Sequence, residues 1–433
     1  MTGFVSAKRF SPMETLTQEQ KKKTHFTRQT CRLCDSRDVA LVMRYPATPV
    51  GDHYLSAGQR EEQQRVYPLD LYFCNACGQL QLLDVVSPEI IYGDYIYETS
   101  SSLGLVEHFQ KYADDVVSRA ACPAGALAVD IGCNDATFLR CLQKRGLKVF
   151  GVEPARAIAQ KVKASGVDVL NTFFSSALAK EIRKERGPAA IISANNVMAN
   201  IEDLGDFAEG LRELLTPDGV FTFESGYLVD LLNNCVIDNV YHEHLCYFRL
   251  NPLIKYFANH GLEVIDVQHS PTKGGSLRGL VQRKGGARPV STAVGERVLW
   301  EKNLGFDQAR TYKEFAARME LVREQLRGLL TGLKKQGKMI AGYGASVGVT
   351  TLLYYYGLDK MLDVLYDDNP KRHGLYSPGH HIPVVASEEI YTRKPDHILI
   401  FAWRYAEPII KKHQQYLKNN GHFIVPLPGI KVI

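Results

Sequence analysis

Short apolar runs alternate with helical stretches twice along this 433-residue chain. Because such alternation is typical of a parallel sheet covered by helices on both faces, we predict an α/β fold with two Rossmann-like units. The strand candidates of the first unit are 126–131, 148–152, 189–193 and 219–224. Those of the second unit are 338–342, 362–366, 397–402 and 422–425.

Two Cys-x-x-Cys pairs precede the first unit, in a stretch that is rich in loop-forming residues. Two such pairs can form a closed tetrahedral Cys₄ site, which is typical of structural zinc. A redox dithiol or free cysteines are the alternatives, and the separation between the pairs exceeds that of a usual zinc ribbon. We predict a structural zinc ion with no coordination position open to water. Its predicted ligands are Cys31, Cys34, Cys74 and Cys77.

The first strand of the first unit ends in an acidic, glycine-containing turn, and a nucleotide cofactor of a Rossmann-like unit lies at this position. The turn lacks Gly-x-Gly-x-x-Gly, and an acidic strand end suits a cationic ligand such as S-adenosylmethionine. Glu153, at the end of the second strand, is placed to accept hydrogen bonds from ribose hydroxyls. The predicted cofactor-binding residues are Asp130, Gly132, Asn134, Asp135, Glu153, Asn171, Phe173, Phe174, Asn195 and Asn196. The alternatives are an ordinary strand end at Asp130 and a core position for Phe173.

Four consecutive side chains that can donate or accept protons, Tyr241-His242-Glu243-His244, follow the fourth strand candidate. Metal binding is one interpretation, but His242 and His244 have no obvious third ligand. A histidine pKa near 6.5 leaves a neutral imidazole that can take a proton at physiological pH, so we favour a general base. A solvated surface turn is the remaining alternative.

Composition and charge exclude several classes of protein. Hydrophobic residues make up 45% of the chain and charged residues 23%, as in soluble globular proteins. The net charge of +5 suits an anionic substrate, whereas a nucleic-acid-binding protein would need a basic stripe in addition. No apolar run approaches the ~18 residues of a membrane helix, and the N-terminus lacks the apolar core of a secretory signal. We expect a cytoplasmic monomer or weak homodimer without nucleic-acid or membrane partners.

Further motifs stand at 274–278 (Gly-Gly-Ser-Leu-Arg), 342–345 (Gly-Tyr-Gly-Ala) and 366–370 (Tyr-Asp-Asp-Asn-Pro). Together with the cysteine pairs, the Asp-Ile-Gly-x-Asn-Asp turn and the Tyr-His-Glu-His segment, they make the chain resemble a known family. It is similar to the bacterial nucleotide-sugar C-methyltransferases, which commonly methylate C3 of a 4-keto-6-deoxy sugar on a nucleoside diphosphate such as TDP. The resemblance covers nearly the whole chain from residue 30.

The sequence pattern and the resemblance together predict a division of the chain into five segments. These are an N-terminal tail (1–29), a zinc-binding domain (30–88), an S-adenosylmethionine-dependent methyltransferase domain (89–295), a helical connection (296–335) and a C-terminal Rossmann-like substrate-binding domain (336–433). We expect the glycine-rich turn at 343–346 to open a helix whose N-terminus accepts phosphate oxygens of the nucleotide.

The resemblance also implies roles for individual residues. It makes His244 the base that removes the C3 proton and so forms an enolate, which is then methylated. Tyr97, Tyr241 and Glu243 would line the sugar pocket. Asn200 stands where the family usually has a histidine, so it can donate a hydrogen bond to the keto oxygen but cannot exchange a proton. The expected substrate-binding residues are Glu224, Tyr227, Ser276, Arg278, Tyr343, Gly344, Ser346, Thr350, Thr351 and Asp367.

Two other functions remain as alternatives. Glycines at 342, 344 and 348, with Asp367 beyond them, suggest a nicotinamide-dependent sugar oxidoreductase or epimerase. Their spacing is not Gly-x-Gly-x-x-Gly, and no Tyr-x-x-x-Lys pair follows. The cysteine pairs and the positive charge suggest a zinc-ribbon protein that binds nucleic acid, but this leaves the Asp130 turn and His244 unexplained.

Overall fold

The computed structural model of the chain describes residues 24–93, 97–102 and 104–433. Most of the predicted tail, 1–23, lies outside these residues, as do residues 94–96. The last residues of the predicted tail are ordered into the fold, since His25–Thr27 form a strand that pairs with a strand at Asp84–Val86. No helix within the described ranges has the length and apolar character needed to cross a bilayer.

The N-terminal unit consists of short antiparallel strands around the cysteine pairs. Its elements are β1 (His25–Thr27), β2 (Val39–Met43), β3 (Leu71–Cys74), β4 (Leu80–Leu82), β5 (Asp84–Val86) and α1 (Pro88–Tyr92). β2, β3 and β4 pair in that order, and β1 pairs separately with β5.

The central unit is a seven-stranded sheet with helices packed on it. Its helices are α2 (Leu105–Ala120), α3 (Thr137–Gln143), α4 (Arg156–Ala164), α5 (Ser176–Arg186), α6 (Leu204–Leu214), α7 (Leu228–Asn233), α8 (Leu250–Asn259) and α9 (Thr292–Asn303). Its strands are β6 (Leu127–Ile131), β7 (Lys148–Val152), β8 (Val169–Leu170), β9 (Ala189–Asn195), β10 (Leu215–Gly226), β12 (Leu262–Ser270) and β13 (Ser276–Arg283).

The strand order of this sheet is β8-β7-β6-β9-β10-β13-β12. The chain runs outward from β6 to β7 and β8 on one side, then returns to β9 on the other, so the order reverses between β6 and β9. Ligands of open α/β sheets bind outside the carboxyl ends of the strands at such a switch point. The topology therefore places a ligand site next to the Asp130 turn.

The antiparallel strands β12 and β13 were not among the predicted strands, although their residues pair along almost their whole length. Between β10 and β12, strand β11 (Cys246–Tyr247) leaves the central sheet and pairs with β4 of the N-terminal unit. Strand β11 thus completes the four-stranded sheet of the N-terminal unit, β11-β4-β3-β2, and it begins two residues after His244.

The long helix α10 (Ala309–Lys335) leads into the C-terminal unit and packs on β2. That unit contains the helices α11 (Val347–Tyr356), α12 (Ile390–Arg393), α13 (Ala406–Lys412) and α14 (Gln414–Lys418). Its strands are β14 (Ile340–Tyr343), β15 (Leu365–Asp367), β16 (Val384–Ala386), β17 (His397–Ile400), β18 (His422–Val425) and β19 (Lys431–Val432). The order is β16-β15-β14-β17-β18-β19, with only β19 antiparallel. The predicted α/β class with two Rossmann-like units is confirmed.

Candidate active site

A cavity of about 660 Å³ lies at the carboxyl ends of β6, β7 and β9 and is closed on one side by the N-terminal unit. Most of the predicted cofactor-binding residues line it: Asp130, Gly132, Asn134, Glu153, Phe173, Phe174, Asn195 and Asn196. Tyr97 and Asn200 line it as well. Asp135 and Asn171 stand behind this lining and hold the loops, because Asp135 accepts from Ser100 N–H and Asn171 donates to the Glu153 carbonyl.

Two buried carboxyl groups hold the turn after β6. Glu153 accepts the backbone N–H groups of Asn134 and Ala155, each at 2.8 Å. Asp130 accepts the Ser193 hydroxyl of β9 at 2.6 Å. Burial raises the pKa of Asp130 to about 7 and also raises the pKa of Glu153. Gly132 has a φ of 65°, and a Cβ there would lie 2.4 Å from Val197, so glycine is required at this turn.

Asn195, at the end of β9, provides a test of whether the cavity fits S-adenosylmethionine. Its Nδ2 and Oδ1 are both buried, and neither has a hydrogen-bond partner among the described residues. Buried polar groups are rarely left unpaired, so an amide in this state indicates a polar ligand. The amino acid end of S-adenosylmethionine offers both a donor and an acceptor, and the acidic groups nearby suit its positive charge.

His244 is oriented by contacts on both ring nitrogens. Its Nδ1 lies 2.9 Å from the Asn239 carbonyl, which only accepts, so Nδ1 carries the proton. Nε2 then has a lone pair, and it accepts the Tyr241 hydroxyl at 3.0 Å. Burial lowers the pKa of His244 to about 4, so the imidazole is neutral at physiological pH. The hydroxyl of Tyr241 stays protonated because burial raises its pKa well above 10.

His244, Tyr241 and Glu243 are not among the described residues that line the cavity, whereas the polar side chains of Asn200 and Tyr92 are. Asn200 donates from Nδ2 to the Tyr92 hydroxyl at 3.0 Å, while its Oδ1 has no partner among the described residues. Burial, and after it the charge of Glu243, raise the pKa of Tyr92. Burial also raises the pKa of Glu243 to about 8, which leaves this carboxyl largely protonated at neutral pH.

Tyr92 and Lys273 are among the lining residues of the cavity that the sequence analysis does not predict. Tyr92 belongs to a stretch with three tyrosines, Tyr92, Tyr95 and Tyr97, and Lys273 directly precedes the glycine pair of the 274–278 motif. The glycine pair was the signal that could have directed attention to Lys273.

The four predicted metal ligands converge at one point of the N-terminal unit. Their sulfur atoms all lie within 4.8 Å of one another. The Cys31 and Cys77 sulfurs are 3.6 Å apart, as are those of Cys34 and Cys74. A tetrahedral zinc ion with Zn–S bonds of about 2.3 Å separates its sulfurs by about 3.8 Å, so the arrangement fits zinc closely.

Three sequence families match successive parts of the chain. They are a zinc binding domain over residues 31–92, a methyltransferase domain over 105–267 and a C-methyltransferase C-terminal domain over 271–428. The C-methyltransferase NovU of Streptomyces niveus is 34% identical over 404 residues, which cover 93% of this chain and 96% of that protein. The chain belongs to the C-methyltransferase family. It is an S-adenosylmethionine-dependent enzyme.

Solved structures also resemble parts of this C-methyltransferase at low identity. The PH0226 protein from Pyrococcus horikoshii is 13% identical, with 45% of this chain and 98% of that chain covered and a TM-score of 0.37. An S-adenosylmethionine-dependent methyltransferase from Clostridium acetobutylicum is 12% identical, with 46% and 96% covered and a TM-score of 0.34.

None of the predicted substrate-binding residues is among the described residues that line the cavity. In the central unit of the C-methyltransferase, Glu224 is buried and binds Arg278 at 2.9 Å and His108 at 2.8 Å. Tyr227 donates its hydroxyl to Glu301 at 2.8 Å, and Ser276 donates to the Thr272 carbonyl at 3.1 Å. These side chains brace the loops around the site.

In the C-terminal unit, several predicted phosphate donors are already engaged. Thr350 and Thr351 are buried and donate their hydroxyls to the carbonyls of Gly51 and Val240, so they hold units together and have no proton left for a ligand. Asp367 accepts the Ala345 N–H at 2.6 Å and so occupies a donor of the predicted phosphate turn. Tyr343 donates to Asp368.

The last two predicted substrate-binding residues, Gly344 and Ser346, lie in the turn between β14 and α11. Gly344 has a φ of 111°, and a Cβ there would lie 3.0 Å from the Ala402 nitrogen. Ser346 is the residue before the first turn of α11, but its side chain makes no capping hydrogen bond. The glycine at 348, which suggested a dinucleotide site, packs against the backbone of Asp238 and is not open to a ligand.

Proposed function

We propose that this C-methyltransferase methylates C3 of a 4-keto-6-deoxy sugar linked to a nucleoside diphosphate, with His244 as the base. The observation that carries the proposal is the neutral imidazole of His244, whose Nε2 lone pair is directed by the Asn239 carbonyl on the opposite side of the ring. The sugar class rests on the resemblance of the chain to nucleotide-sugar C-methyltransferases.

A C–H bond next to a ketone is acidic because the electron pair that it leaves spreads onto the oxygen. An enzyme that uses this acidity needs a base near the carbon and hydrogen-bond donors near the oxygen. S-adenosylmethionine, when bound, supplies a methyl group on a positively charged sulfur. The protein has to hold that methyl group in line with the carbon, and such positioning can supply up to ~7–11 kcal/mol.

In this proposal, Tyr241 moves its hydroxyl hydrogen bond from His244 Nε2 to the C4 oxygen when the sugar binds. Nε2 is then free to take the C3 proton. Asn200 donates to the keto oxygen, and Tyr97 orients the ring from the opposite wall of the cavity. Glu243 is largely protonated and can bind a sugar hydroxyl without repelling the negative charge that forms on the oxygen.

Exchange of the C3 proton tests the base separately from methyl transfer. With a 4-keto-6-deoxy sugar nucleotide in deuterated water, we expect the enzyme to introduce deuterium at C3 without a methyl donor. His244→Asn should lose both exchange and methylation, while sugar-nucleotide affinity stays within about 1 kcal/mol, the size of one hydrogen bond. Tyr241→Phe should slow both steps less. His422→Asn, at an exposed histidine of β18, is the matched control.

If His244→Asn exchanges the C3 proton at the rate of the wild type, proton removal belongs to another residue. Wild-type enzyme that neither exchanges C3 nor methylates any such sugar nucleotide would refute the substrate class. Both outcomes are read by proton NMR of the same sample.

The nucleotide is proposed to lie toward the C-terminal unit. Arg404 supports this, since its side chain lies against Gly274 at the edge of the site and its guanidinium pairs with Asp238 at 3.1 Å. Arg404→Leu should weaken binding of the nucleoside diphosphate in calorimetry and leave S-adenosylmethionine binding unchanged. Equal nucleotide affinity in this variant would place the nucleotide elsewhere.

A further inference from the structure

A lysine without an assigned role lies in the wall of the cavity. Lys273 stands in the tight turn between β12 and β13, and it lines the cavity together with Tyr97 and Asn200. Its φ and ψ of 53° and 28° are left-handed, a conformation that a lysine rarely adopts. Among the described residues, no carboxylate forms an ion pair with its ammonium group.

The turn that carries Lys273 is held from several sides. The Thr272 hydroxyl donates to Glu224 at 2.8 Å, and the Tyr227 N–H donates to the Gly275 carbonyl at 3.1 Å. Gly275 lies so close to Asp230 that a Cβ would meet its carboxyl group at 2.2 Å. The buried Glu224 thus fixes the turn on which the lysine stands.

The ammonium group lies beside Tyr97 in the wall of the cavity. Its Nζ lies 4.7 Å from the centre of the Tyr97 ring. Burial dominates the pKa shifts of Glu243 and His244, and the charge of Lys273 lowers the pKa of both. The pKa values of Asp130 and Glu153 respond to burial, to hydrogen bonds and, for Asp130, to Glu153, but not to Lys273. Because Lys273 lies against Tyr97 and lines the cavity with Asn200, it stands beside two residues that the proposed function assigns to the sugar.

We propose that Lys273 is a catalytic residue that donates a charged hydrogen bond to the C4 oxygen of the sugar as the enolate forms. This role rests on the proposed function. His244 Nε2 takes the C3 proton, the C–H electron pair forms the C3–C4 double bond, and the carbonyl pair moves onto the oxygen beside the ammonium. The electron pair on the oxygen then re-forms the C4 carbonyl, and the pair of the C3–C4 double bond forms the bond from C3 to the methyl group. The sulfur–methyl bond breaks, and its electrons stay on the sulfur.

A fixed positive charge is needed at this position because His244 is a weak base. An imidazole whose pKa is about 4 gains little by taking a proton from carbon, so the negative oxygen has to be stabilised. Hydrogen-bond donors arranged in advance around a developing oxyanion are worth about 10²- to 10³-fold in rate. The amide of Asn200 and the hydroxyl of Tyr241 are neutral donors, and Lys273 adds the charge.

The test compares Lys273→Met, Lys273→Asn and Lys273→Arg. Asparagine also removes the charge and tolerates the left-handed conformation better, so this variant folds at least as well as the wild type. We expect C3 exchange and kcat to fall about 10²- to 10³-fold in the first two variants, with partial recovery in Lys273→Arg. The dissociation constant for S-adenosylmethionine should stay within about twofold. Lys284→Met, at an exposed lysine just beyond β13, is the matched control.

Three results would overturn the assignment. Unchanged exchange in Lys273→Met and Lys273→Asn would remove Lys273 from the chemistry, while the wild-type rate would still support the proposed function. A large loss of S-adenosylmethionine affinity at unchanged exchange would make Lys273 a ligand of the cofactor carboxylate. Absence of exchange in the wild type itself would refute the proposed function, and the role of Lys273 with it.

Discussion

At the scale of single residues, the turn after β6 is held by two carboxyl groups, Asp130 and Glu153, whose pKa values are raised by burial. Asp130 has one oxygen bound to the Ser193 hydroxyl, and its pKa of about 7 lies far above that of a free aspartate. A cationic ligand stabilises the ionised form, so binding below neutral pH has to release a proton. The charge state of one side chain then couples ligand affinity to pH.

We therefore expect the affinity for S-adenosylmethionine to rise with pH up to about 7 and to level off above it. The ligand-free protein should show the opposite trend in stability. Because the folded-state pKa is raised, the contribution of Asp130 is fully present below about pH 4 and is lost as the pH rises through about 7. Calorimetric titrations between pH 5.5 and 8.5 measure the first effect. Asp130→Asn should flatten both profiles, and an unchanged slope in that variant would assign the proton to another group.

At the scale of elements, the first cysteine turn is bound to both loops of the reacting end. Arg32 is fully buried between Cys31 and Cys34, and its Nε donates to Glu202 at 2.6 Å. Its Nη1 donates to the carbonyls of Leu82 and Leu245. Glu202 follows Asn200 closely, and Leu245 follows His244, so one guanidinium ties the cysteine turn to two segments of the candidate active site.

Arg32→Met should leave Glu202 without one of its two arginine partners and should remove one donor from each of the carbonyls of Leu82 and Leu245. Removal of one member of a buried ion pair costs about 3–5 kcal/mol, so a large drop in the free energy of unfolding is expected in urea titrations. Arg37→Met, an exposed arginine of the same turn, should change stability by less than about 0.5 kcal/mol. Similar losses in both variants would contradict the special position of Arg32.

Zinc removal is expected to act in the same direction. We expect Cys31→Ser or Cys74→Ser, or prolonged chelation, to lower the free energy of unfolding, since a site of four cysteines leaves no position for a reacting ligand. Metal content and thermal unfolding are measured on the same samples. A metal-free protein of unchanged stability that has lost methyl transfer would contradict a structural role.

At the scale of the whole molecule, the three units are joined through the segment that precedes Tyr241. The start of α11 packs against it so closely that a Cβ on Gly348 would lie 2.3 Å from the Asp238 carbonyl oxygen. Thr351 donates to Val240 at 2.7 Å, and Trp403 donates to Asp238 at 3.2 Å. The C-terminal unit therefore supports the active site even though no described residue of it lines the cavity.

Gly348→Ala should destabilise the protein by about 1–3 kcal/mol, because backbone atoms have to move to admit the methyl group. Methyl transfer should fall while S-adenosylmethionine affinity is retained, since the strain reaches the Tyr241 segment and not the Asp130 turn. Gly328→Ala on α10, where a Cβ meets nothing within 4 Å, should stabilise the protein by about 0.5–1 kcal/mol. If Gly348→Ala leaves the stability unchanged or raises it, the backbone around Asp238 moves to admit the methyl group at little cost.

The sequence was sufficient for features that local periodicity encodes. The strands β6, β7 and β9 and the acidic turn after β6 follow from apolar runs and one glycine, and most of the predicted cofactor-binding residues line the cavity beside them. Features that depend on distant contacts were missed. Thr350 and Thr351 look like ligand donors until the carbonyls that they bind are known, and the two-residue strand β11 carries no periodic signal.

The pairing of β11 with β4 has a consequence for engineering chimeras of such enzymes. A graft that replaces residues 30–88 with the matching part of a relative would set a foreign β4 against this chain's β11, and foreign turns against Leu245 and Tyr247. The transplant would then shift the loop that holds His244, although no residue of that loop was exchanged. Crossover points should therefore be chosen so that the stretch around 239–250 travels with the cysteine module of the same parent.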